Sequence, residues 1–166
     1  GGSWTAVGAT ALAITDCLNV GSPERPEIMG EFVDCVKGMA EACEALDFPV
    51  VSGNVSFYNE TNGEAVLPTP AIGGVGLIRD LDKRANLSFA KNGDLLLLIG
   101  KTKGHLGASR YASEIAGREH GAPPGVKVAT DRRDGAFVRD QAEKRLTSSV
   151  HLPSAGGLCA AVAARR

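Results

Sequence analysis

The run Ser52-Gly53-Asn54-Val55-Ser56-Phe57-Tyr58-Asn59-Glu60-Thr61 gathers small polar groups behind an apolar stretch and ahead of a turn signal. Such groups at a strand end stand where ligands collect in α/β folds. Gly53 lets a ligand approach the backbone closely. Asn54 can offer a neutral carbonyl oxygen to a hard cation such as Mg²⁺. Ser56 can donate to a phosphate or a sugar hydroxyl. The alternative is a capped turn that holds no ligand.

Asp16 is a second candidate, an acid closing the apolar stretch that begins at Ala9. It suits a metal or the hydroxyls of a nucleotide, or else it caps the following turn. Lys101-Thr102-Lys103-Gly104-His105-Leu106-Gly107 opens an expected helix after an apolar strand and has the shape of an anion site. It is not a phosphate-binding P-loop, because the Gly-Lys-Ser/Thr order is absent. Ser154-Ala155-Gly156-Gly157 is a similar glycine turn into a helix. His105 and His151 lack the spacing of a catalytic pair or a metal site, and are expected to be structural. Cys17, Cys35, Cys43 and Cys159 form no C-x-x-C pair and are expected to be buried thiols.

These groups need elements to hold them. Ala9–Cys17 predicts a strand with Asp16 at its end. Asn19–Glu27 is a loop punctuated by Gly21, Pro23 and Pro26. From Glu27 to Leu46 the apolar residues Ile28, Phe32, Val36, Met39, Cys43 and Leu46 recur at steps of three and four, which predicts an amphipathic helix. Asp47-Phe48-Pro49 ends it. Pro49–Val55 predicts a strand broken at Gly53-Asn54, and Asn62-Gly63 predicts a hairpin. Val66–Pro70 is extended, and Ala71–Ile78 is a buried strand.

A second module begins near Asn92-Gly93. Asp94–Gly100 (DLLLLIG) predicts a fully buried strand. Thr102–Ile115 predicts a helix, and Thr130 or Asp131 caps another that runs to about Arg145. Thr147–Leu152 predicts a strand, and a last helix starts at Gly156. The alternation points to an α/β or α+β fold with modules at about 1–83 and 92–166.

Composition narrows the function classes. Lys+Arg total 18 against 19 Asp+Glu, a net charge of −1, which excludes a nucleic-acid binder driven by bulk charge. Hydrophobic residues at 43% support a packed core. No apolar run is long enough to span a bilayer, and no secretory leader pattern is visible. A reduced, cytoplasmic setting without membrane contact is therefore expected. The absence of an initiator Met and a final helix that runs to the last residue suggest a piece of a longer protein.

Four strings are more specific than their physics. LAITDCLN (Leu12–Asn19), PERPEIMG (Pro23–Gly30), FPVVSGNVSFYNET (Phe48–Thr61) and PTPAIGGVGLI (Pro68–Ile78) occur in one collinear order. TKGHLG (Thr102–Gly107) fits the same order. Together they resemble the synthetase subunit of phosphoribosylformylglycinamidine synthase, of the small bacterial type, and more narrowly its second half. The resemblance implies an α+β fold. An AIR-synthetase-like N-terminal-type module would be followed by the truncated start of a C-terminal-type module. It implies a purine-biosynthetic ligase that converts formylglycinamide ribonucleotide to the formylglycinamidine with ATP, Mg²⁺ and glutamine-derived ammonia. By similarity, Asp16 and Gly53 contact ATP, Asn54 ligates Mg²⁺, and Ser56 contacts the ribonucleotide. No catalytic residue is carried over, because the family's catalytic histidines lie in its first half. The implied partners are that first half, a glutaminase subunit and a small accessory subunit. The chain by itself is not expected to turn over, and an unpaired sheet edge would favour association.

The chain departs from the family pattern in two places. Val20 and Ser22 replace an aromatic residue and an asparagine after Asp16. In the string from His151 to Leu158, Leu152 and Ala155 stand where the family has acids. A non-catalytic scaffold half, or a related AIR-synthetase-superfamily enzyme, are the competing expectations.

Overall fold

The computed structural model describes residues 5–118, 121–153 and 157–163. The chain divides into two compact units. One is Ala9–Arg79, and the other joins Asp80–Arg166 to the segment that ends at Gly8.

The first unit is built on β1 (Thr10–Asn19), α1 (Pro26–Leu46), β2 (Val50–Ser56), β3 (Glu60–Thr61), β4 (Glu64–Ala65) and β5 (Ala71–Leu77). Its three-stranded sheet has the order β2-β1-β5. β1 runs parallel to β2 and antiparallel to β5. A parallel pair needs a long crossover, and α1 supplies it. The Asn62-Gly63 turn closes β3 onto β4 with both residues at positive φ, 54° and 81°, as a two-residue hairpin requires.

Helix α1 starts at Pro26, whose fixed φ and missing N–H suit the first turn. Glu27 adds a favourable charge there. The helix ends in a Schellman arrangement. Asp47 is left-handed at φ 53°, its N–H bonds to the Glu44 carbonyl at 3.3 Å, and the Phe48 N–H bonds to the Cys43 carbonyl at 3.0 Å. Phe48 then turns into the core, where Ile14, Leu18, Val20 and Ile28 are also buried. The Phe32 ring of α1 meets Phe57 edge-on, with centroids 5.3 Å apart.

Three expectations for this unit change. β2 runs unbroken through Gly53 and Asn54, because both pair with β1. β1 continues to Asn19, so Asp16 is inside the strand and not at its end. β5 forms, but it is not buried: Ile72 is 50% and Val75 62% exposed. It borders β1 on one side only, so nothing in the sheet covers its other edge.

In the second unit a 3₁₀ turn, Leu81–Lys83, is capped by the Asp80 carboxylate. It is followed by α2 (Arg110–Glu114), α3 (Val128–Glu143) and α4 (Gly157–Ala163). Its buried residues are small: Ala6, Ala85 and Ala142. The expected strand over Asp94–Gly100 does not form, and Leu95 is 89% and Leu97 78% exposed. A buried strand needs hydrogen-bonded neighbours and covered faces. The described residues of this unit contribute only one isolated bridge, Asn86 to Ser149. That bridge is also all that remains of the strand expected at Thr147–Leu152. The helix expected over Thr102–Ile115 shrinks to Arg110–Glu114, because Gly104 and Ala108 take positive φ and Ser109 caps the turn instead. Helix α3 begins at Val128 after Lys127, with no side-chain cap from Thr130 or Asp131. Cys17, Cys35 and Cys43 are half-buried and Cys159 is exposed, so none is a buried thiol.

Candidate functional site

The parallel register of β1 and β2 brings the sequence candidates together in pairs. Asp16 stands opposite Gly53, Cys17 opposite Asn54, and Asn19 opposite Ser56. Side chains alternate along a strand, and directly paired residues share a face. Asp16 and Gly53 therefore lie on the face that also carries the buried Ile14 and Leu18. Asn54 and Ser56 lie on the opposite face with Thr15, Cys17, Asn19 and Ser52. The four candidates form two sets, one on each side of the sheet.

The first set is a close contact. The Asp16 carboxylate leans across the Gly53 α-carbon, and a Cβ at position 53 would collide with Asp16 Oδ1 and stand 2.8 Å from its Cγ. Gly53 is required here by space and not by its φ. The second set is open and polar. The Ser52 hydroxyl donates to Thr15 Oγ1 at 2.7 Å. Asn54 is exposed, and no hydrogen bond from its side chain occurs among the described residues. Its amide oxygen is thus available to a cation or a ligand.

Ser56 sits at the end of β2 in a knot tied by Asn59. The Asn59 amide nitrogen donates to the carbonyls of Val20 and Ser56, each at 2.9 Å. The Ser56 hydroxyl donates to Asn59 Oδ1 at 3.2 Å. The backbone N–H groups of Tyr58 and Asn59 bond to the Gly21 and Val20 carbonyls. Gly21 leaves room for the hairpin, since a Cβ there would come within 2.6 Å of the Ala65 Cβ. Tyr58 pays for the knot with φ 61°, an outlier for a bulky residue. Its hydroxyl donates to Glu24 Oε1 at 3.2 Å, and the Glu24 charge, followed by that bond, raises the Tyr58 pKa above 10.0. Beside it, Arg25 pairs with Glu27 at 2.8 Å. The carboxyl of Glu27 is held low first by its own backbone N–H and then by Arg25.

Sequence reasoning did not single out Asn59 or the Thr15–Ser52 pair. The Thr15–Ser52 pair spans 37 residues, and Asn59 joins a bond to Val20, 39 residues away, to its local bonds with Ser56. The other candidates lie in the second unit. The run Lys101–Gly107 is exposed apart from Gly107 and precedes α2 instead of opening it. His105 Nε2 lies 2.9 Å from the Ala122 carbonyl, in keeping with a structural role. Residues 154–156, with Ala155, lie outside the described residues, and Leu152 is half exposed. Among the described residues no group of three or more His, Cys, Asp or Glu side chains could hold a metal. No helix among them is long and apolar enough to cross a membrane.

Residues 4–78 match the family described as AIR synthase related protein, N-terminal domain. The strands, the crossover helix and the Asp16–Gly53 contact all lie within the span that resembles this domain. Beyond that span as well, the chain is similar to phosphoribosylformylglycinamidine synthase subunits named PurL. The subunit of Bradyrhizobium diazoefficiens is 59% identical over 159 residues, which is 96% of this chain and 22% of that protein. The subunit of Parvibaculum lavamentivorans is 55% identical over 161 residues, again 96% of this chain and 22% of that protein. The chain spans about a fifth of the length of the curated relatives it matches, given that 22% coverage. The solved structure of Thermotoga maritima PurLQS is 36% identical over 49% of this chain and 13% of that chain, with a TM-score of 0.44.

Proposed function

We propose that this chain supplies the ATP- and Mg²⁺-contacting section of a phosphoribosylformylglycinamidine synthase, an ATP-dependent carbon–nitrogen ligase of purine biosynthesis. The observation that carries the proposal is the 59% identity to such a subunit across nearly the whole chain. In the reaction, the amide oxygen of formylglycinamide ribonucleotide bonds to the γ-phosphorus of ATP. The bond from that phosphorus to the β–γ bridging oxygen breaks, and ADP leaves with the electron pair. Ammonia from glutamine adds to the resulting imidate carbon. The carbon–oxygen bond then breaks, phosphate leaves, and a proton is lost.

In this assignment Gly53 and the Asp16 carboxylate that covers its α-carbon meet ATP. Ser56 meets the ribonucleotide. Asn54 offers one neutral oxygen to Mg²⁺, which fits a hard cation. Asn54 alone would not hold the ion, so further oxygen ligands would have to come from outside this set of residues. When bound, the ion neutralises charge on the transferred phosphoryl group. The two candidate sets lie on opposite faces of one sheet. That division runs against one self-contained Mg-ATP site in this chain, and the proposal assigns its completion to the first half of the same subunit. A glutaminase subunit and a small accessory subunit complete the assembly, which works in the cytoplasm.

Calorimetric titration of Mg-ATP into the purified chain, beside Asn54→Ala, tests the assignment. Binding that Asn54→Ala weakens supports a nucleotide–metal role for this chain. Binding that is unchanged in the variant removes Asn54 from the metal site. No binding by a folded chain rules out a self-sufficient site and requires the same pair of proteins to be titrated with the remaining subunit present.

A further inference from the structure

We propose that Asn59 is a positioning residue that commits the Ser56 hydroxyl proton, so that Ser56 meets its ligand as a hydrogen-bond acceptor. This rests on the assignment of Ser56 to the ribonucleotide. The two protons on Asn59 Nδ2 go to the Val20 and Ser56 carbonyls at 2.9 Å, which leaves Oδ1 as the acceptor facing Ser56. The Ser56 hydroxyl has one proton, and Oδ1 takes it at 3.2 Å. The contact of Nδ2 with Ser56 Oγ, also 3.2 Å, is longer than its two carbonyl bonds and adds no competing acceptor. What Ser56 still offers outward is lone-pair density. Its complement is a donor, either an amide N–H or a sugar hydroxyl, and not a phosphate oxygen. On this proposal Ser56 accepts from its ligand, in place of donating to a phosphate or a sugar hydroxyl.

The backbone supports the same conclusion. Tyr58 stays at φ 61°, held by its N–H bond to the Gly21 carbonyl and its hydroxyl bond to Glu24. Strain of this kind persists only where the surroundings over-determine it. Its local effect is to swing the Asn59 side chain back across the ends of β1 and β2.

The test uses the full chain, ¹⁵N-labelled and combined with the remainder of the subunit, with Ser56→Ala, Asn59→Ala and the double variant. Formylglycinamide ribonucleotide and inorganic phosphate serve as separate NMR probes. Slowly exchanging Asn59 carboxamide protons in the unsubstituted chain are expected, and this readout stands even if Asn59→Ala does not fold. Exchange at the rate of a free carboxamide overturns the proposal. Ser56→Ala is expected to weaken ribonucleotide binding about tenfold, the worth of one hydrogen bond. It should leave phosphate binding unchanged. The double variant should lose no more than Ser56→Ala alone, because Asn59 acts through Ser56. Additive losses, or phosphate binding that falls with Ser56→Ala, overturn the proposal. If the ribonucleotide response is absent, or is unaffected by Ser56→Ala, the assignment of Ser56 to that substrate falls and the proposal falls with it. The carboxamide exchange then still reports whether the Asn59 knot exists.

Discussion

The Asp16 carboxylate occupies the space where a side chain at Gly53 would be, with its Cγ 2.8 Å from the position of a Cβ there. The two residues are direct partners in the parallel register of β1 and β2. Gly53→Ala must therefore displace either the carboxylate or the strand. The atoms in the way belong to one half-exposed carboxylate and not to backbone, so moving it off its rotamer costs about 1 kcal/mol. Urea unfolding should show that loss, and Asp16→Ala in the same chain should recover most of it. A double variant as unstable as the sum of the singles would show that the two side chains do not compete for this space.

Asp47 ends α1 in a left-handed conformation at φ 53°. Glycine adopts that conformation without the steric cost that a Cβ brings. Asp47→Gly should raise stability by about 0.5–1 kcal/mol, seen as a higher urea midpoint at unchanged slope. A lower midpoint would mean that the aspartate side chain contributes more than its backbone costs.

Tyr58 should titrate above 10.0, because the Glu24 charge opposes the phenolate and its carboxylate holds the hydroxyl proton. The folded value is raised above the unfolded one. The stability from this contact is therefore present below pH 10 and lost as pH rises through the folded value. Absorbance titration of the phenolate should separate Tyr58 from Tyr111, and Glu24→Gln should bring Tyr58 back down. A Tyr58 titration that ignores Glu24→Gln would show that the contact does not form in solution.

Leu95 to Ile99 form five consecutive apolar residues with no strand partner among the described residues, and Leu97 is 78% exposed. Such a run favours association between chains. Sedimentation should show self-association that grows with concentration, and Leu97→Lys should reduce it. A chain that stays monomeric with or without the substitution would mean that these side chains find cover in solution.

Much of the first unit was legible because its signals are local. Helix α1 could be read from its three- and four-residue spacing, its start from Pro26 and its end from Asp47-Phe48-Pro49. The Asn62-Gly63 hairpin needs only its own two residues. The family resemblance was carried by contiguous strings between Leu12 and Ile78, and it agrees with the match over residues 4–78.

Tertiary structure decided whatever depends on a partner distant in sequence. Asp16 looked like a strand end, yet pairing with Gly53, 37 positions on, keeps it inside the strand on the face of Ile14 and Leu18. The period-two alternation separates Asn54 from Gly53 by a whole sheet face, although they are neighbours in the chain. Asn59 acquires its role only because the ends of β1 and β2 meet beside it. DLLLLIG reads as a buried strand by hydropathy, but burial belongs to the surroundings, and the described residues of its unit do not supply them. Residue type and spacing select the local conformation; which groups a side chain then meets is settled by register, and register exists only once the strands have paired.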